Sequence, residues 1–213
     1  MDVLRFLLTQ LIRLVFPPKS HEALVEKATL EQLSQLVSPR IVSVDSSHIT
    51  ALLPYRHSLV RALITELKFK DSERARVLLA QVLHDYLEGL VEDESGFETN
   101  SYVLLPIPLS ALRERERGYN QVERLFEKQN SLPVPIKYGV LERVRDTKPQ
   151  TRLNRAERLV NMEGAFRANG PLDAHVTYIL IDDVVTTGAT LRAAEQALRD
   201  TGAKDVHLLA LSY

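Results

Sequence analysis

Hydrophobic and polar positions along this chain follow two different periods, and the change falls near residue 100. In the first half the spacing is helical. Positions 4, 7, 8, 11, 12, 14 and 15 are apolar, which predicts a short helix. Pro17-Pro18 ends it. Arg5, Gln10 and Arg13 interrupt the run, which is too short to span a bilayer, since that takes about 20 apolar residues. The basic start and small-residue cleavage site of a signal peptide are missing. A docking helix is the reading, with a helix lying on a membrane surface as the alternative. The pattern predicts a second amphipathic helix through 21–37, ending before Pro39, and then a short mixed segment, strand or loop, at 40–54. Two more helices are expected over 57–70 and 72–90, the latter with an apolar stripe of Leu78, Leu79, Val82, Leu83, Tyr86, Leu87 and Leu90. The acidic, glycine-containing stretch 92–100 reads as a loop.

Beyond it, short apolar runs alternate with helical patterns. Residues 101–109 (SYVLLPIPL) read as a buried strand closed by prolines. A helix is expected at 119–129, a strand at 138–144, and a polar, basic loop with a short helix at 147–161. A strand at 176–182, a helix from 189 that ends at Gly202, and a last strand at 205–213 complete the chain. This alternation implies βαβ units and a mainly parallel sheet, an α/β fold.

Composition narrows the picture modestly. The chain has 213 residues, 45% hydrophobic and 26% charged, with net charge −1. That is one sizeable domain, or one domain with a small appendage, and it has no global pull toward nucleic acid or membrane. With no cysteine, disulfides and thiolate metal sites are excluded, and the reducing cytoplasm is the expected compartment. Charge is uneven, however. Residues 113–158 hold twelve Lys or Arg and seven Asp or Glu, a basic segment long enough to act as a lid over a polyanion.

The most informative stretch is YILIDDVVTTGATLRAAEQAL, residues 178–198. In an open parallel sheet, ligands bind beyond the carboxyl ends of strands. Asp182 and Asp183 stand at such an end, and a turn into a helix follows, where backbone amides and the helix dipole converge on an anion. Gly188 permits close backbone approach. Thr186, Thr187 and Thr190 add hydroxyls, and Ala189 opens the helix. Two carboxylates beside a phosphate need neutral hydroxyls or a cation such as magnesium to face. A phosphorylated sugar meets both demands. A P-loop and a dinucleotide-binding glycine motif are both absent.

The segment ILIDDVVTTGATL resembles the phosphoribosyl-pyrophosphate (PRPP) signature of type I phosphoribosyltransferases. Three further stretches narrow the likeness: LLPIPLSALRERERGYNQ (104–121), RVRDTKPQTRLNRAERLVNMEGAF (143–166) and YRHSLVRALITELKFKDSERA (55–75). Together with the signature they are similar to the ComF family of competence-associated, phosphoribosyltransferase-like proteins, over about residues 52–213. The resemblance implies a type I phosphoribosyltransferase fold for that part, a mainly parallel sheet flanked by helices, with residues 1–51 a helical extension. It implies that Asp182 and Asp183 hold the ribose hydroxyls and that Thr186 to Thr190 hold the 5-phosphate. Leu109, Ser110, Arg113 and Arg117 belong to a pyrophosphate loop, with Asn120 and Gln121 on or behind it. Lys68 falls in a lysine-aromatic pair. Residues 143–163 make a flexible catalytic loop in which Arg145, Thr147 and Gln150 match the pattern; Arg158, Asn161 and Phe166 match its trailing part. Asp182, Asp183 and Arg145 are the expected catalytic residues.

The family commonly begins with a cysteine-rich zinc module, and no cysteine here can form one, so magnesium with PRPP is expected and zinc is not. Two readings stay open. One is an enzyme that moves ribose 5-phosphate from PRPP to a nitrogen acceptor, with residues 40–100 the candidates for reading that acceptor. The other is a DNA-uptake factor that binds single-stranded DNA, with PRPP or a nucleotide as regulator. A competence helicase and a second copy of the chain are further expected partners.

Overall fold

The computed structural model describes residues 20–44, 47–94, 101–127, 132–145 and 161–213. The helix expected before Pro17 lies outside them. Helices α1 (Ser20–Lys27) and α2 (Leu30–Ser34) come first. One helix was expected over 21–37; it is broken in two. Thr29 is extended at φ −113 and ψ 157. Its Oγ1 accepts from Gln32 N at 3.2 Å, and its own N–H donates to Gln32 Oε1 at 3.2 Å. That reciprocal cap starts a new helix. Strands β1 (Arg40–Val44) and β2 (Ser47–Leu53) follow as an antiparallel pair, Arg40 opposite Ala51. They resolve the ambiguous 40–54 segment as strand, and position 52 lies inside β2.

Helices α3 (Ser58–Lys70) and α4 (Glu73–Glu94) form as their apolar stripes predict. Asp71, left-handed at φ 46, turns the chain between them. Next come β3 (Ser101–Pro106), α5 (Ala111–Arg117) and α6 (Gln121–Arg124). The helix expected over 119–129 is thus only the four residues of α6, and α5 is a helix where the pattern showed only charge. Neither is built on an apolar stripe. Ser110 and Asn120 cap their first turns, and Gly118, at φ 77, ends α5.

Strands β4 (Leu141–Arg143) and β5 (Phe166–Ala168) pair antiparallel on either side of residues 146–160. Then β6 (Val176–Val184), α7 (Ala189–Arg199) and β7 (Asp205–Ser212) close the fold. The main sheet runs β1-β2-β7-β6-β3. All its pairings are parallel except β1 with β2. The mainly parallel α/β architecture is therefore as expected, with an antiparallel edge.

Because side chains alternate across a strand, the sheet separates two cores. Leu63, Leu67, Leu79 and Leu83 of α3 and α4 pack with Leu104, Ile181 and Leu209 on one face. Val25 and Leu33 join the same cluster, so α1 and α2 are docked onto α3 and α4. On the other face Leu191, Ala194 and Leu198 of α7 meet Leu105, Leu180 and Leu208, with Leu141 and Phe166 of the small sheet. Deleting one of these buried leucines to alanine typically costs about 2–5 kcal/mol. This two-sided burial explains why β6 and β7 read as apolar runs. No helix among the described residues is long and apolar enough to cross a membrane.

Candidate ligand-binding site

The site grows from the end of β6, an inner strand with parallel neighbours on both sides. The strand continues through Val184, so both aspartates belong to its last turn of pleat. Alternation sends them to opposite faces. Asp183 follows Ile179 and Ile181 toward α3 and α6; Asp182 follows Tyr178 and Leu180 toward the α7 side.

Asp183 is buried, 7% exposed, and fully engaged. Lys68 Nζ, from the last turn of α3, lies 2.8 Å from its Oδ1. Gln121 Nε2, at the start of α6, donates to its Oδ2. Arg117 Nη1 in turn donates to Gln121 Oε1 at 2.5 Å. Burial lowers the Arg117 pKa, an effect the Asp183 charge partly opposes. Asp182 is partly buried. Burial first, and then the neighbouring Asp183 carboxylate, push its pKa up to about 6, against the Asp183 N–H and the charges of Lys68 and Arg113. That N–H donates to Asp182 Oδ1 at 2.8 Å. The pair is thus divided into one carboxylate held by fixed protein partners and one whose ionisation lies close to neutrality.

The turn after β6 is anchored from below. Val185 N–H donates to Ser212 O of β7 at 2.8 Å. Gly188 then takes a left-handed conformation, φ 69 and ψ 2, and α7 starts without a side-chain cap. Thr186 is exposed; Thr187 and Thr190 are partly buried; Gly188 and Ala189 are buried. Thr187 Oγ1 lies 3.5 Å from Ala189 N, the limit of a hydrogen bond. Asp182 and residues 184–191 line one shallow cradle. A larger cavity, about 390 Å³, lies beside α7 between Ser47 and Gly164 and includes neither aspartate. Chemistry, not volume, marks the strand end.

Beside it, β3 runs parallel to β6, and Ile107 N–H donates to Ile181 O at 3.0 Å. Leu109 and Ser110 sit just beyond that strand. Ser110 Oγ accepts from Arg113 N at 3.3 Å, capping α5. In α5 the three arginines of spacing two separate: Arg113 and Arg117 are partly buried, whereas Arg115 is exposed. The two inward arginines are the ones whose charges act on Asp182 and Asp183. Asn120 is structural. Its Nδ2 donates to Ile107 O at 3.0 Å and to Glu123 Oε1 at 2.9 Å, while Oδ1 accepts from Val122 N at 3.0 Å.

Arg145 stands apart from this constellation. Its Nη2 donates to Asn161 O at 3.0 Å and also to Glu163 O, tying together the two ends of residues 146–160. Thr147, Gln150 and Arg158 lie outside the described residues. Phe166 is a core residue of β5 beneath the Arg143 guanidinium, 5.4 Å away. Tyr119 was not singled out by the sequence and holds the site together. Its hydroxyl donates to Leu67 O at 2.9 Å and accepts from Asp71 N at 3.0 Å. It locks the end of α3 that carries Lys68. Only the Gly-Tyr-Asn-Gln string pointed near it.

A mainly parallel sheet with an acid pair, a glycine turn and a helix N-terminus at the end of an inner strand defines an α/β protein with its candidate ligand site at the carboxyl end of the sheet. Competence protein ComFC of Streptococcus pneumoniae is 30% identical over 161 residues, 76% of this chain and 66% of that protein. Competence protein ComFC of Bacillus subtilis is 40% identical over 101 residues, 47% of this chain and 40% of that protein. The chain belongs to the ComF family. It spans between 40% and 66% of the length of these two relatives. No family model matches it. A hypoxanthine phosphoribosyltransferase of Staphylococcus aureus aligns over 62% of this chain and 61% of that one, with TM-score 0.35 and 12% identity, a likeness too slight to say more.

Proposed function

We propose that the end of β6 binds PRPP with magnesium and transfers its ribose 5-phosphate to a nitrogen acceptor. The observation that carries this reading is the acid pair set directly before the Gly188 turn and the N-terminus of α7. The turn suits the 5-phosphate. Asp182 suits the ribose hydroxyls or a hard cation, because carboxylate oxygen is a favoured magnesium donor. No group of three or more His, Asp or Glu that could hold a metal ion occurs among the described residues; Asp182 would be the protein oxygen available to a magnesium ion brought with PRPP. When bound it would neutralise the pyrophosphate. Arg113 and Arg117 face the strand end from α5 and supply positive charge where the leaving group would gather negative charge. The C1–O bond breaks with its electron pair on the pyrophosphate oxygen. The acceptor nitrogen bonds to C1 and releases its proton to solvent.

Calorimetry with PRPP and magnesium tests the binding step, and pyrophosphate release across a panel of nucleobases tests turnover. The Asp182→Asn/Asp183→Asn double variant is expected to lose PRPP binding by at least about 100-fold, given the charge-assisted contacts removed. Unchanged affinity in that variant would overturn the assignment.

A second reading follows from the relatives' names, which assign them to competence. In that reading the exposed Arg115 of α5 and the basic segment around it meet a single-stranded DNA backbone, and PRPP regulates rather than reacts. Binding of an oligonucleotide that weakens steeply with salt supports it; no binding at low salt counts against it.

A further inference from the structure

Next to the acid pair the structure exposes a large aromatic ring. Phe69 is 65% exposed, although it follows Lys68, the residue tied to buried Asp183 at 2.8 Å. Its backbone has little freedom. Tyr119 holds Leu67 O on one side of it and Asp71 N on the other, and Arg124 both lies 5.3 Å from the Tyr119 ring and pairs with Asp71 at 3.3 Å. The Arg117 guanidinium lies 5.5 Å from the centre of the Phe69 ring. That guanidinium bonds Gln121, which bonds Asp183. A ring in water, rigidly presented and linked through two side chains to the acid pair, is a surface built for something flat. A hydrophobic core would have buried it, and an ordinary surface helix end would not pin it on both sides.

We infer that Phe69 is the platform on which the acceptor stacks, and that the acceptor is a planar nitrogen heterocycle. This deepens the reading above and rests on it. The Arg117 guanidinium lies over one face of the ring, and the opposite face is offered to a flat π-system. Leu67 O and Asp71 N–H, on either side of the ring, are already used by Tyr119, and stacking is the contact by which the ring would select the ligand. Several heterocycles should therefore bind with similar affinity.

The test uses the full chain with its six phenylalanines replaced by 4-fluorophenylalanine, and assigns the residue 69 signal by its absence in Phe69→Leu. Adenine, guanine, uracil and nicotinate are titrated with and without PRPP and magnesium. Stacking is expected to move the residue 69 signal upfield. Phe69→Leu should lose about tenfold in heterocycle affinity, the scale of one lost stacking contact, and Phe69→Tyr should restore it. PRPP affinity measured by calorimetry should stay within about twofold in Phe69→Leu, because the ring lies outside the phosphate turn. A signal unmoved by every heterocycle overturns the inference. So does a Phe69→Leu variant that loses PRPP affinity equally, since the ring would then only support α3. If only oligo-dT moves the signal, the platform serves a nucleic-acid strand and the inference fails. If heterocycles shift the ring while PRPP does not bind, the platform stands and the PRPP reading falls.

Discussion

Asp183 turns toward α3 and finds a lysine and an amide already in place, at 2.8 Å for Lys68 Nζ and in direct hydrogen bond for Gln121. Asp182, one residue earlier, turns toward α7; one of its oxygens accepts a neighbouring backbone N–H at 2.8 Å, and its pKa rises to about 6. One carboxylate joins three elements of the fold, and the other lines the cradle at the strand end. Adjacent identical residues therefore do different work, because strand alternation places them in different surroundings. The first acts as a keystone for α3, α5 and α6, and the second is the carboxylate proposed to face the ligand.

Removing the keystone's partner gives the largest effect. Lys68→Met leaves Asp183 buried beside an apolar side chain. With both side chains under a fifth exposed, 18% and 9%, the loss is expected to be about 2–3 kcal/mol at pH 7 by denaturant titration, somewhat below the range for fully buried pairs. A loss under about 0.5 kcal/mol would place the pair among ordinary surface bridges and dissolve the contrast.

Asp182→Asn should move stability in the other direction. A carboxyl group whose folded pKa is raised from 3.8 to about 6 binds more protons in the folded state than in the unfolded one between those values. Wild-type stability therefore falls as pH climbs through that window, and the asparagine variant lacks the fall. Above pH 6 the variant is expected to be more stable by about 1 kcal/mol, allowing for solvent screening. Thermal melts at pH 4.5 and pH 7.5 measure it. PRPP·magnesium affinity of the wild type should drop about tenfold per pH unit below 6, since one proton competes with the ligand.

The smallest effect on folding comes from the turn. Thr187→Val removes only a bond at the geometric limit, 3.5 Å. Stability should change by no more than about 0.5 kcal/mol. PRPP affinity should fall by about tenfold, the value of one hydrogen bond to a charged group. A variant that loses stability instead of affinity would show that the turn, like Asp183, serves the fold.

The residues differ in how legible they were. β6, the Gly188 turn and α7 were readable because each signal is local: an apolar run, two acids, a glycine, then helical spacing. α5 was not, since ALRERER has no apolar stripe, and Ser110 and Gly118 define it only as caps. Its helical geometry, which sends Arg113 and Arg117 one way and Arg115 the other, is invisible in a spacing of two. The break at Thr29 was legible in principle as a Thr-x-x-Gln cap, but the apolar pattern ran across it. Phe69 is marked in sequence only as the aromatic beside Lys68; its exposure exists only once Lys68 has been turned toward Asp183.

The chain by itself therefore determined the strand, the acid pair and the glycine turn, because these depend on neighbours within a few residues and on backbone geometry that glycine and alternation dictate. Tertiary structure alone decided which aspartate is neutralised. Gln121 meets Asp183 across 62 positions, and Lys68 comes from farther still. Such pairings arise only when the two-sided core has packed α3 and α6 against one face of the sheet, and burial then makes the charge balance at that single point matter.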